Sequence, residues 1–364
     1  MTPRRTVWLL CWLLLVLASS PTARSEPEPP LATFGERIDV RLFSIRVRAV
    51  DHYGAPLPGL GPQDFEVEIG GREVELVAVD WVAGGTPAEA ERGGALDREA
   101  PAQESRDDDP RLVVLFLQTS AEPHRYLGHW RVLKRLDRLL AGLAPRDRVA
   151  VVAFQYHLQV RSHFTERREE TRAAVESAVR LRSRPPALLA GDGPELEIDA
   201  VSARDAALVE RGLEVVGRAL SGLPGEKLLL FLGWGLGVEH GGAVTRHYVR
   251  AVQALREASV TVSSMAVGSQ SFGVSSNLDF ALARIAVDTG GQYVKLAPFL
   301  DLAMERLRRS LDGHYLVTFA VPDGVTGRVR VGLRSGPFRV HHAPFVLERQ
   351  GLGPGPTAAS PLAR

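Results

Sequence analysis

Cysteine is nearly missing from this chain of 364 residues: Cys11 is the only one. No internal disulfide can form, and the fold must be held by its core. An excess of charge of either sign is missing too. Lys and Arg number 44 against 43 Asp and Glu, and no basic stripe with interleaved aromatics occurs, which removes the electrostatic case for a nucleic-acid partner. There is no Gly-x-Ser-x-Gly, so the nucleophile turn of a serine hydrolase has no support. There is no His-x-x-x-His pair and no cysteine cluster, so zinc has none either. What is present is ordinary globular composition, 45% hydrophobic and 24% charged, which excludes a disordered or fibrous chain. The length suggests two domains, or one with an addition.

The first 25 residues have the layout of a secretory signal peptide. "MTPRR" is positive, "TVWLLCWLLLVLA" is apolar but short for a membrane span, and small residues follow in "SSPTARS". Cleavage after Ser25 is expected, with a retained anchor as the alternative. Cleavage would remove Arg4, Arg5, Arg24 and Cys11, taking the formal charge from +1 to −2 and leaving no thiol. The expected address is therefore across the inner membrane, in the periplasm or at the cell surface, with no membrane insertion after cleavage.

Residues 33–83 form an N-terminal β segment. In "IDVRLFSIRVRAVD", Phe43, Ile45, Val47 and Ala49 face one way and Ser44, Arg46 and Arg48 the other, the period of a half-buried strand. "DFEVEIGGREVELVAVDWV" alternates again around a Gly70-Gly71 hairpin turn. Residues 313–350 also alternate, with Arg328, Arg330 and Arg334 opposite Val329, Val331 and Leu333. Two β-rich ends flanking a different middle predict one sandwich built from both segments. Residues 84–110 read as an acidic Gly/Pro linker, where the adjacent acids Asp107, Asp108 and Asp109 do not converge as calcium ligands would. Residues 351–364 read as a disordered tail.

The middle, 111–312, alternates short apolar runs with amphipathic stretches. "RLVVLFL", "RVAVVAF", "KLLLFL" and "VTVSSMAV" read as strands buried on both faces, with helices between them, including one stripe of Leu133, Leu136, Leu140 and Leu143. "HLQVRSHF" reads as an antiparallel edge hairpin. The fold class is therefore α/β, a doubly wound and mostly parallel sheet, with a smaller antiparallel sandwich from the terminal segments. Ligands of such sheets bind at the C-terminal ends of the strands.

Several of these stretches carry a likeness. "VDHYGAPLPGLGPQDFEVEIGGREVEL", "PRDRVAVVAFQYHLQVRSHFT", "LARIAVDTGGQYVKL" and "HYLVTFAVPDG…GRVRVGL", in this order, resemble the bacterial, acidobacterial-type proteins built on a von Willebrand factor A domain. The resemblance implies a metal-ion-dependent adhesion site: an Asp and two Ser from a first loop, a Thr from a second and an Asp from a third, around Mg²⁺. In "QTSAE" the first Asp's place holds Gln118, Ser120 is retained, and Glu122 replaces the second Ser. The third loop reads Gly233-Trp234-Gly235, and Ser202 stands near the Thr position. With both acids replaced, the site is expected to hold no metal and no other cofactor. Glu122, Asp192, Asp205 or Glu239 would have to rebuild it by another route.

The expected function is that of an exported, non-enzymatic protein-interaction, adhesion or scaffold protein, with another envelope or extracellular protein as its partner. Gln118, Ser120, Glu122, Ser202 and Trp234 form the candidate partner-binding face. Trp234 either anchors a partner, as interface tryptophans do, or fills the space left by an ion. His124, Tyr126, His129, Trp130 and His240 lie in the same loops. The histidines, including His157, His163, His341 and His342, read as scattered surface groups. The glycines of "GWGLGVEHGG" read as turn formers, since His240 stands where a phosphate-binding loop needs glycine. Two alternatives stay open: a metal-dependent adhesion domain with a rebuilt Mg²⁺ or Ca²⁺ site, and a hydrolase on the same doubly wound scaffold.

Overall fold

The structure is a computed structural model that describes residues 41–83, 110–182, 192–237, 243–267, 277–295, 300–309, 311–322 and 324–347. The expected signal peptide, linker and tail, together with Glu239 and His240, lie outside the described residues.

Four apolar runs make the centre of a six-stranded sheet: β5 (Leu112–Gln118), β6 (Arg148–Phe154), β8 (Lys227–Gly233) and β9 (Val260–Ala266). With β10 (Tyr293–Lys295) and β7 (Leu158–Thr165) the order is β10-β9-β8-β5-β6-β7. All neighbours are parallel except β6 and β7, the predicted edge hairpin. Alternate residues of each central strand serve opposite faces. Val114 and Phe116 pack with α5 (Val209–Ser221), α6 (Arg246–Glu257) and α7 (Asn277–Asp288). Val113, Leu115 and Leu117 pack with α1 (Pro123–Leu133), α2 (Leu136–Leu140), α3 (Arg168–Val179) and α8 (Leu300–Arg309). Burial on both faces is why these strands read as unbroken apolar runs. Two expected continuous helices are broken. The leucine stripe is divided at Lys134 and Arg135, where ψ of Arg135 falls to 4°. The 203–220 stretch is split into α4 (Ala200–Asp205) and α5, because Ala206 leaves helical geometry at ψ 67°.

The terminal segments form two antiparallel sheets facing one another. One has the order β13-β1-β11-β4 and the other β14-β12-β2-β3. Their strands are β1 (Arg41–Val50), β2 (Phe65–Ile69), β3 (Arg72–Glu73), β4 (Leu76–Ala83), β11 (Gly313–Val321), β12 (Gly327–Leu333), β13 (Arg339–His341) and β14 (Phe345–Leu347). The core between them holds Val47, Phe65, Val67, Tyr315, Phe319 and Val329. Tyr315 fixes the loop after β1, its hydroxyl donating to Leu57 O at 2.5 Å and accepting from Leu60 N at 2.9 Å.

The outward face of β1 does not simply meet water. Arg48, assigned by alternation to the polar side, is only 5% exposed. It meets Glu226, just before β8, at 3.5 Å and Gly290 O at 3.4 Å. His314 is also buried, its Nδ1 3.4 Å from the same Glu226 carboxylate. Arg111 completes this junction: its Nε donates to Asp147 at 3.1 Å and its Nη1 to Leu311 O at 2.6 Å. The polar side of β1 is thus the seam between sandwich and α/β body.

Candidate functional site

The parallel strands β5, β6 and β8 end on one rim, and the chain leaves β5 there at Gln118. Gln118 is 5% exposed. Its Oε1 accepts two hydrogen bonds, from Trp234 N at 3.0 Å and Gly235 N at 3.2 Å. The amide oxygen therefore latches the loop after β8 onto the end of β5. Gly233 makes the latch possible, because a Cβ there would stand 2.5 Å from Gln118 Oε1 and 2.6 Å from Phe231 Cε1. Thr119 N donates to Phe154 O at 2.8 Å and ties the same turn to β6.

Ser120 is half-buried, and its Oγ accepts from Glu122 N at 3.2 Å. Glu122 stands exposed at the N-cap position of α1, its side chain making no capping hydrogen bond, with Pro123 in the first helical position. Its carboxylate lies 3.3 Å from Arg125 Nε and 3.4 Å from His124 Nε2. A carboxylate at a helix N-terminus is favoured by the macrodipole, so Glu122 has a structural use without a cation. Arg125 in turn lies over Trp234, its guanidinium carbon 4.5 Å from the ring centroid. Trp234 itself is half-buried, neither fully sealed in nor fully presented.

Below Trp234 sits His129, edge-on to the indole at 6.5 Å between centroids. The expectation that His129 is a surface group is wrong: it is 2% exposed. Its Nδ1 faces Arg125 O at 3.0 Å and its Nε2 faces Leu232 O at 3.4 Å. Burial pushes its pKa below the ordinary value, only partly offset by the two carbonyls. His129 was missed because its position in α1 carries no mark of where β8 will lie.

Ser202 is not joined to this group by any contact among the described residues. It is exposed on the short α4, where its backbone N–H donates to Asp199 at 2.8 Å. That bond, with one from the Ser202 hydroxyl, holds Asp199 below the usual carboxylate range. Asp192 accepts from Glu166 N at 3.2 Å beyond β7, and Asp205 is exposed at the end of α4. A further residue went unread: Glu210, in the first turn of α5, is 3% exposed and accepts from Gly237 N. It is a second latch on the loop after β8. Nothing in the sequence separates it from an ordinary first-turn acid.

A divalent cation does not fit this donor set. A carbonyl oxygen has two lone pairs, and both of Gln118 Oε1 are engaged by N–H donors. The Trp234 indole offers no oxygen, and the Ser120 hydroxyl alone cannot compensate for the dehydration of Mg²⁺. Among the described residues no group of three His, Cys, Asp or Glu is arranged to hold a metal. Among them, too, no helix is long and apolar enough to cross a membrane.

No family model matches the chain, and no curated protein does. Solved structures do. One is BatB, a conserved hypothetical protein from Bacteroides thetaiotaomicron, with 14% identity over 56% of this chain and 97% of that one, at a TM-score of 0.36. A second is an aerotolerance-related membrane protein from Bacteroides fragilis, with 12% identity over 56% and 98%, at 0.37. A third is a von Willebrand factor type A protein from Catenulispora acidiphila, with 13% identity over 80% and 75%, at 0.38. Each is a distant likeness in chain path.

Proposed function

We propose that the chain is an exported, non-enzymatic protein-interaction component whose strand-end face, built on a von Willebrand A-like body, binds a protein partner without a metal. The observation that carries this reading is the Gln118 latch. The amide oxygen in the first acid's place is saturated by the backbone of the loop that should have supplied the second acid. The face is thereby held in one shape by neutral hydrogen bonds, and what it presents is an aromatic with a cation over it, Trp234 under Arg125. Trp and Arg are the residue types enriched at binding hot spots. Periplasm or cell surface is the proposed address, on the strength of the N-terminal sequence.

Calorimetry with Mg²⁺, Mn²⁺ and Ca²⁺ to millimolar concentration tests the metal, and no saturable heat is the expected result. Capture of envelope proteins by wild type and by Trp234→Ala tests the face. Loss of one specific partner, with melting unchanged, is expected. Stoichiometric Mg²⁺ binding that disappears in Ser120→Ala refutes the metal-free reading, and unaltered capture by the tryptophan variant refutes the interface.

A further inference from the structure

Strand β13 accompanies β1 for three residues only: His341, Val340 and Arg339 pair with Arg48, Ala49 and Val50. The chain then turns away through Ala343 and Pro344 and joins the other sheet as β14. On that side of β1, no strand among the described residues pairs with Arg41–Val47, whose other side is taken by β11. An unpaired strand edge is a template for another chain. Proline helps to create this one, since Pro344 has no N–H to continue the ladder.

The space left beside the edge is a cleft of about 430 Å³. Ser44, Ile45 and Arg46 form one wall, Pro344 and Phe345 another, and the turn from Arg256 to Val260 a third. Arg46, Arg48 and Arg256 line it; among the described residues Glu257 is the one carboxylate of the lining, and Glu226 pairs with Arg48 from beside it. A guanidinium has five N–H donors; Arg256 gives one to Pro344 O, and those of Arg46 and Arg48 are poorly used. Arg46 donates to Ser259 O at 3.4 Å, a weak contact. Arg48, buried at the inner end, makes long bonds to Gly290 O at 3.4 Å and to the Glu226 carboxylate at 3.5 Å, and among the described residues its Nε has no partner. A second hollow of about 310 Å³ shares Gly290 and Pro344 and adds Arg328 and Arg330. The cleft lies by the N-terminal ends of β8 and β9, whereas the Gln118 face lies at the C-terminal ends. The inference is independent of the proposed function.

We propose that the cleft receives an extended acidic segment of a partner protein, which adds to the free edge of β1 as a strand. Main-chain hydrogen bonds to a sheet edge supply affinity in this mode, and alternate side chains supply specificity. Ser44 and Arg46 share one face of the unpaired stretch of β1, so a paired segment carries its acids at every second position to meet them. Its carboxylates face Arg46 and Arg256, while Arg48 at the inner end is already matched by Glu226. The residues between the acids lie on the side of Phe43 and Ile45, where β-branched side chains pack.

The probe is a fluorescein-labelled decapeptide alternating glutamate with threonine, read by fluorescence anisotropy against the full chain. Saturable binding that weakens with salt is expected. Binding at least about tenfold weaker is expected for Arg46→Ala/Arg256→Ala, and for a peptide in which proline replaces threonine, since the first loses charge pairing and the second loses the ladder. Trp234→Ala is expected to bind as wild type does. Arg256→Glu, on an exposed helical site, serves if the double variant does not fold. No saturable binding, equal binding by the arginine variants, or equal binding of the proline peptide overturns the proposal. Binding seen only after Asp107→Asn/Asp108→Asn/Asp109→Asn assigns the cleft to this chain's own acidic stretch, and a dimer that Arg46→Ala/Arg256→Ala dissociates assigns it to a second copy. Either result also overturns the external partner.

Discussion

Replacing Gln118 by leucine roughly keeps the volume and removes the amide oxygen together with the amide nitrogen. Two backbone donors then lose their acceptor: Gly235 N, which is buried, and Trp234 N, which is partly so. A buried donor left without a partner costs about 1–3 kcal/mol, and a hydrogen bond with partial solvent access is worth about 0.5–1.5 kcal/mol. The sum, roughly 2–4 kcal/mol, falls on the loop after β8. A chain with a sandwich and an α/β body need not unfold in one transition, so the decisive assay is residue-resolved amide exchange. In Gln118→Leu the amides of Trp234 and Gly235 are expected to exchange at least about tenfold faster, the rate equivalent of 1.4 kcal/mol. Amides in the centre of β5, such as Leu115, are expected to change less. Gln118→Glu retains an acceptor and is expected to retain protection of both amides. If Gln118→Leu leaves both amides protected, the latch does not hold the loop, and the reasoning that denies Gln118 to a cation fails with it.

Three further outcomes follow from the same geometry. Gly233→Ala places a Cβ 2.5 Å from Gln118 Oε1, and a loss of about 1–3 kcal/mol is expected from overpacking, read as a lower urea midpoint. Arg111→Ala leaves Asp147, which is 3% exposed, without its cation, and about 3–5 kcal/mol is expected to be lost; a shift under about 1 kcal/mol would contradict the burial of that pair. Burial pushes His314 and His341 from 6.5 down to about 4, so the unfolded chain binds protons there that the folded chain does not. Stability is therefore expected to be full above pH 6.5 and to fall on acidification towards pH 4, by about 1.4 kcal/mol per pH unit for each buried histidine. Urea midpoints between pH 7 and 4.5 measure this, and His314→Phe is expected to reduce the slope.

Much of the scaffold was readable before any coordinates. Leu112–Leu117 and Leu228–Leu232 are continuous apolar runs because both faces of their sheet are covered, and that signal is local. The joining of the two terminal segments in one antiparallel sandwich was readable for a different reason, since neither has enough strands to close a core alone. The site was readable only in part. Gln118 and Trp234 became candidates through the resemblance, as the residues standing where a metal site's two acids would be, but their mutual contact spans 116 residues of sequence and leaves no local trace. Arg48 obeys the strand period and faces away from the sandwich core as expected. What periodicity does not contain is the second module standing on that side. His129 and Glu210 were hidden in the same way, each a polar residue in a helix whose neighbour belongs to another strand or loop.

The two segments of the sandwich are separated in the chain by the whole α/β body, from Ala83 at the end of β4 to Gly313 at the start of β11. Synthesis delivers the chain from its N-terminus, so β1 to β4 emerge with nothing to close upon. Val47, Phe65, Val67 and Ile69, all 1% exposed or less in the finished structure, must wait until the last strands arrive. The α/β body has its own sheet and helices complete by Arg309 and can reach its shape first. Maturation thus has an intrinsic order, interior before ends, and the interval in which the early strands stand open is when a holdase would matter most.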